Sequence, residues 1–192
     1  MTRAILCGNS MGGTLAYSYA SVHPEVVERL IVVDTGPGEK PGAAASGPPA
    51  GPPNGPPRSG PPMPPMGPFA SRDEAASRLP PVMGPACVKA MVDLNLKQGA
   101  DGQWQWKFDP EVLAAGQRSM RDPRKWPRWQ AVTCPTLILR GEHSPALSPR
   151  LADEMVAANA TATLVVVPGA GHFIPIEQPA AFEAAVRAWL AQ

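Results

Sequence analysis

Several things this chain lacks narrow what it can be. Among 192 residues it has only three cysteines, Cys7, Cys87 and Cys134, with no C-x-x-C spacing between them. That odd set supports neither a disulfide framework nor a zinc site, and it reads as reduced, buried thiols of a cytoplasmic protein. Charge of one sign is also missing: 17 basic residues stand against 16 acidic, a net charge of +1. No strongly basic field points to nucleic acid and no acidic one to a cationic partner. No apolar run approaches the roughly 18 residues of a membrane span, so no membrane association is expected. One arginine precedes the first structured stretch, too little for a signal peptide. No lysine occurs before Lys40 and no G-x-x-x-x-G-K-[ST] is present, which argues against a phosphate-binding loop.

Proline, by contrast, is abundant. Of 26 prolines, half lie between Pro37 and Pro68, in GPGEKPGAAASGPPAGPPNGPPRSGPPMPPMGP. The G-P-P glycines stand at 47, 51, 55 and 60, and collagen requires one at every third position. Such a composition cannot bury enough surface to offset its chain entropy, so residues 37–68 read as an exposed Pro/Gly-rich loop. A ligand for a polyproline-binding domain is the alternative for that stretch.

The rest of the chain is organised around AILCGNSMGGTLAYSYA, residues 4–20. It reads as a short buried strand, a tight turn and a helix reaching about Val22. The turn holds G-x-S-x-G: Gly8, Ser10 and Gly12. A serine hydroxyl is a weak nucleophile, and it must stand clear on a sharp strand-to-helix turn where a histidine can reach it. Glycines on either side leave room for the strained backbone. The helix that follows points its N-terminus at the site and favours negative charge there.

RLIVVD (29–34) reads as a second strand whose near-continuous apolar run suits a parallel sheet covered on both faces. Strand, helix and strand form a βαβ unit. Beyond the proline-rich stretch, Ser71 with Glu74 forms a capping-box pattern opening a helix over 71–79, and 86–96 is a second amphipathic helix. Trp104, Trp106 and Phe108 alternate, so they share one face of a short strand, packing in a core or lining a substrate pocket. RDPRKWPRW (121–129) reads as a docked connector. The α/β pattern then resumes with a strand at 134–141, a helix capped by Ser148, and a strand at 162–169. A loop holding His172 follows, and then a closing helix with Phe182, Val186, Trp189 and Leu190 on one face.

With GNSMGG around Ser10, PTLILRGEHS on a later strand and PGAGHFIPIEQP before the last helix, the chain resembles the α/β-hydrolase superfamily, in its esterase- and lipase-like, cap-bearing group. The resemblance implies a mostly parallel sheet of about four strands with helices on both faces. Residues 1–36 and 130–192 form the core, and 69–129 a helical cap insertion. It implies a serine hydrolase acting on a small-molecule, ester-like acyl bond without metal or organic cofactor. Ser10 is then the nucleophile, His172 its base, the Met11 N–H an oxyanion donor, and Trp104 and Trp106 substrate contacts. His23 and His143 read as surface residues. Two carboxylates compete for the orienting role. Asp34 ends the second strand, where some haloalkane-dehalogenase-like relatives carry their acid. Glu142 lies in the usual loop but early, and Ser144 and Pro145 occupy positions where relatives often have an aspartate. The strands that precede the nucleophile strand in the family are absent, as is the loop that donates a second oxyanion N–H. An N-terminally truncated chain with an unpaired sheet edge, open to self-association or to a partner, is therefore expected. A non-catalytic remnant acting as an interaction module is the alternative function.

Overall fold

Apolar residues at every position of 30–33 leave β2 only one stable place, inside a sheet with both faces covered. The computed structural model describes residues 3–39, 67–80, 83–119 and 122–192. The Pro/Gly-rich stretch expected at 37–68 lies for the most part outside them. Strands β1 (Ala4–Asn9), β2 (Val27–Val33), β5 (Thr136–Gly141) and β6 (Ala162–Val167) form one parallel sheet in the order β1-β2-β5-β6. Leu30 and Val32 of β2 enter one core with α1 (Met11–Val22), α5 (Lys125–Gln130) and α6 (Pro149–Ala158), built on Tyr17, Trp129, Leu147 and Met155. Ile31 and Val33 enter a second core with α7 (Ile174–Glu177) and α8 (Pro179–Leu190), where Ile174 and Trp189 are buried. This is the expected α/β architecture, with helices on both faces of a four-stranded parallel sheet.

The chain divides into two compact units, 1–43 with 118–192 and 44–117. In the second, α2 (Arg72–Ser77), α3 (Pro85–Asn95) and the antiparallel pair β3 (Leu96–Gln98) and β4 (Trp104–Trp106) enclose Phe69, Ala75, Leu96 and Trp106. α4 (Pro110–Ser119) leads out of it. The capping box takes a variant form. Ser71 Oγ accepts the Glu74 N–H at 3.1 Å, but Glu74 Oε2 reaches one residue further back, to the Ala70 N–H at 2.8 Å. Trp126 and Trp129, from the RDPRKWPRW segment, are buried in the first unit beside α1. One expectation is corrected: Cys7 is exposed, because β1 is the edge strand and its outward side chains are uncovered, whereas Cys87 and Cys134 are buried. Ile5 on β1 and Leu15, Tyr19 and Val22 on α1 are exposed as well.

Tyr17 packs edge-on against Trp129 at 5.7 Å, fully buried, and its hydroxyl has no hydrogen-bond partner among the described residues. The Thr14 hydroxyl lies 3.3 Å from that of Thr35. Burial pushes the phenol up to about 12, from an ordinary value of 10.0. A raised phenol pKa favours the protonated, folded form, so this stabilisation is complete below pH 10 and is lost as pH rises towards about 12. The loss approaches about 1.4 kcal/mol per pH unit in that window. Tyr17→Phe will flatten the alkaline limb of stability measured by urea unfolding, and it will not weaken the fold at neutral pH.

Candidate active site

Parallel strands deliver their carboxyl ends to one edge of the sheet, where ligands bind in open α/β folds. Here the register aligns Asn9 with Val33, Val33 with Leu139, and Gly141 with Val167. The residues just past those four strand ends are Ser10, Asp34, Glu142 and the loop to His172. Local sequence makes each of these ends, and the sheet order sets them in a row.

Ser10 occupies the turn between β1 and α1 with φ 54° and ψ −120°, a conformation that costs a non-glycine residue on the order of 1–3 kcal/mol. Hydrogen bonds on both sides hold it there. Its N–H donates to Val33 O at 2.9 Å, and its carbonyl accepts the Thr14 N–H at 3.1 Å. The glycines divide the work unevenly. A Cβ on Gly8 would stand 2.3 Å from the Gly12 carbonyl carbon, so β1 and the first turn of α1 touch backbone to backbone at that point. A Cβ on Gly12 would meet nothing within 4 Å. Of the expected pair, only Gly8 is required by space, and Gly13, packed on Thr35, shares that role.

The imidazole of His172 lies between Ser10 and Asp34. Its Nε2 is 2.9 Å from Ser10 Oγ, and its Nδ1 is 2.8 Å from Asp34 Oδ2. A carboxylate only accepts, so Nδ1 carries the proton and Nε2 presents its lone pair to the serine. Asp34 is fully buried, and His172 keeps 20% of its side-chain surface exposed. The Asp34 carboxylate has two more donors: the Gly141 N–H on Oδ1 at 2.9 Å and the Ser144 hydroxyl on Oδ2 at 2.5 Å. Ser144 Oγ in turn accepts the N–H groups of Ala146 and Leu147, both at 3.0 Å. Asp34 also has a positive φ, 52°, a region that Asp and Asn enter more readily than most residues.

Glu142 does not meet His172. Its Oε2 accepts the Gly169 N–H at 2.9 Å and lies 3.7 Å from His143 Nε2, and the side chain is half exposed. Its work is to hold the β6 exit, where Gly169 takes φ 67°. His143 and His23 are on the surface, the latter 3.5 Å from Glu25. Met11 opens α1, where a first-turn N–H has no carbonyl within the helix to bond. Trp106 is 3% exposed, T-shaped to Phe69 and stacked on Phe108 at 5.5 Å. That packing makes it a core residue of the second unit. Trp104 lines a groove of about 980 Å³ in that same unit with Arg72, Met83, Val88 and Val92. The Arg72 guanidinium sits 5.5 Å from its ring centre and pairs with Asp93. Among the described residues no cluster of three or more His, Cys, Asp or Glu could hold a metal ion, and no helix is long and apolar enough to cross a membrane.

Three contacts escape a reading by motif. Ser144 had a signal, since it occupies a position where relatives often have the acid, and a hydroxyl there can serve a carboxylate arriving from elsewhere. Asn9 and Glu177 had none, because both act on the backbone around His172 across long sequence separations or through a turn.

Residues 1–185 match the alpha/beta hydrolase family. The mouse sn-1-specific diacylglycerol lipase ABHD11 is 30% identical over 190 residues, covering 97% of this chain and 59% of its own length. The Escherichia coli esterase YbfF is 30% identical over 102 residues, covering 53% of this chain and 38% of its own. Among solved structures, E-2-(acetamidomethylene)succinate hydrolase superposes with a TM-score of 0.76 at 19% identity, covering all of this chain and 68% of that one. A Mycobacterium tuberculosis esterase gives 0.70 at 20%, covering 98% and 62%. The chain thus spans a little over half the length of its curated ABHD11 relatives. By sequence match along nearly its whole length and by the fold it adopts, this chain belongs to the alpha/beta hydrolase family.

Proposed function

We propose that this chain carries a serine-hydrolase site for an ester-like acyl bond, with Ser10 as nucleophile, His172 as base and then acid, and Asp34 as the orienting carboxylate. One observation carries the reading: the unbroken path from Ser10 Oγ through His172 to Asp34, in steps of 2.9 and 2.8 Å. The order Ser, Asp, His along the chain supports it, and so do relatives named as a diacylglycerol lipase and an esterase.

Ser10 Oγ attacks the acyl carbon while its proton passes to His172 Nε2. The oxyanion that forms lies at the N-terminus of α1, where the Met11 N–H and the helix dipole stabilise it. The imidazolium, steadied by Asp34, then protonates the leaving oxygen as the acyl bond breaks. Water enters, gives its proton to His172 and attacks the acyl-serine, and the acid leaves as Ser10 recovers its proton. No step requires a metal or an organic cofactor. Trp104 and Trp106 remain proposed substrate contacts.

The test is covalent labelling of the purified chain by a fluorophosphonate, beside a Ser10→Ala control. Labelling on Ser10 that the control lacks is the expected result. Its absence in a folded chain would remove the hydrolase reading. The uncovered edge of β1, with Ile5 and Cys7 exposed, favours a second reading, in which the chain is an interaction module or works only when a partner strand completes the sheet. Labelling that appears only in a self-associated or partner-bound species would favour it.

A further inference from the structure

A base that must stay within hydrogen-bond reach of two groups at once has to be held by its backbone as well as by its ring. We propose that Glu177 and Asn9 are positioning residues that clamp the peptide joining His172 to Phe173, an inference that rests on the hydrolase reading and assigns the control of its base.

The loop from β6 to α7 has no sheet or helix of its own to supply hydrogen bonds around His172. Glu177 supplies them from the last position of α7. Its Oε1 accepts the Phe173 N–H at 2.9 Å and its Oε2 the Gly171 N–H at 2.6 Å. One carboxylate therefore holds the N–H before His172 and the N–H after it, in charge-assisted bonds. Gly171 lets it approach, since a Cβ there would stand 2.8 Å from Glu177 Oε2.

Asn9 grips the opposite end of the same peptide. Its Nδ2 donates to His172 O at 3.1 Å and to Val33 O at 3.0 Å. Both hydrogens of the amide are used, and two carbonyl acceptors fix which way it faces. Val33 O also takes the Ser10 N–H at 2.9 Å, and Val33 is the residue before Asp34. A single side chain next to the nucleophile thus ties together the backbones that carry nucleophile, acid and base. The 172–173 peptide is held at its oxygen by Asn9 and at its nitrogen by Glu177, so it cannot swing without breaking one bond. Any swing would carry the imidazole away from Ser10 or from Asp34.

The test uses Asn9→Ala, Asn9→Asp, Glu177→Ala and Glu177→Gln in the whole chain, with two readouts and the melting temperature alongside. The first is the rate constant for fluorophosphonate labelling of Ser10 per folded molecule. It will fall roughly 10- to 100-fold in Asn9→Ala and Glu177→Ala, the scale of an ångström's misplacement. Glu177→Gln, which keeps one acceptor oxygen, will recover part of the loss. Asn9→Asp will fall below Asn9→Ala, because its carboxylate faces two carbonyls. The second readout is the downfield proton resonance of the His172 Nδ1–H bonded to Asp34. It will broaden or vanish in Glu177→Ala and return in part in Glu177→Gln. A purely structural role moves the melting temperature alone. Labelling rates and the proton resonance both unchanged in Asn9→Ala and Glu177→Ala would overturn the proposal, whatever the melting temperatures do. If the unmodified chain takes no label, the hydrolase reading has failed, and the resonance still decides the clamp: its survival in Glu177→Ala overturns it. Should Glu177→Ala not fold, Glu177→Gln and Asn9→Ala carry both readouts.

Discussion

Ser10→Ala, His172→Ala and the double variant will lose ester hydrolysis by about the same factor, on the order of 10⁶. The equality matters more than its size. An oxygen nucleophile without a base and a base without a nucleophile are equally idle, so the second substitution removes nothing the first had left. The 2.9 Å contact between Ser10 Oγ and His172 Nε2 makes the pair one unit. Initial rates on a nitrophenyl ester, with each variant's fold checked by circular dichroism, provide the measurement. Losses that multiply in the double variant would show two independent contributions, and the assigned roles would fall.

Asp34→Asn will lower turnover by about 10⁴-fold, by analogy with the amide exchange in a serine-protease triad. The amide keeps the shape of the carboxylate and tolerates the positive φ of 52°, so the backbone has no reason to move. What changes is the proton. An asparagine that turns its NH₂ to His172 Nδ1 donates there, which favours the tautomer with its hydrogen on Nε2 and takes the lone pair from Ser10. Asparagine also loses acceptor capacity for the Gly141 N–H and the Ser144 hydroxyl. Glu142→Gln is the matched comparison. Its one backbone contact, to Gly169, survives through the remaining carbonyl oxygen, and its rate will stay within about twofold of the unmodified chain, as surface changes usually do. Equal losses in the two variants would reassign the acid.

The same site separates what is written locally in the chain from what is not. G-N-S-M-G is legible because its demands are local: a strand, a sharp turn and a helix occupy adjacent residues, and Gly8 has a steric reason to be glycine. The capping at Ser71 and Ser148 is local too, and each side chain accepts the expected N–H, from Glu74 and from Leu151. The two-sided burial of β2 follows from its composition, and Leu30 and Val32 do part from Ile31 and Val33. Cys7 differs because an apolar run reads as buried, whereas the edge position of β1 leaves its outward face uncovered.

By itself the sequence determined the elements and the reactive groups: a hydroxyl on a strained turn, an imidazole on a loop after the last strand, and two carboxylates at strand ends. Hydrophobic period, capping and turn chemistry act over a few residues and can be read there. Only the tertiary structure set one of the two carboxylates against the imidazole. With β2 set between β1 and β5, Asp34 stands within reach of His172 and is held by Gly141 and Ser144, while Glu142 turns to the β6 exit. That choice depends on the order and register of strands more than a hundred residues apart in the chain. Such pairings come from packing across the whole sheet, and no short segment contains them.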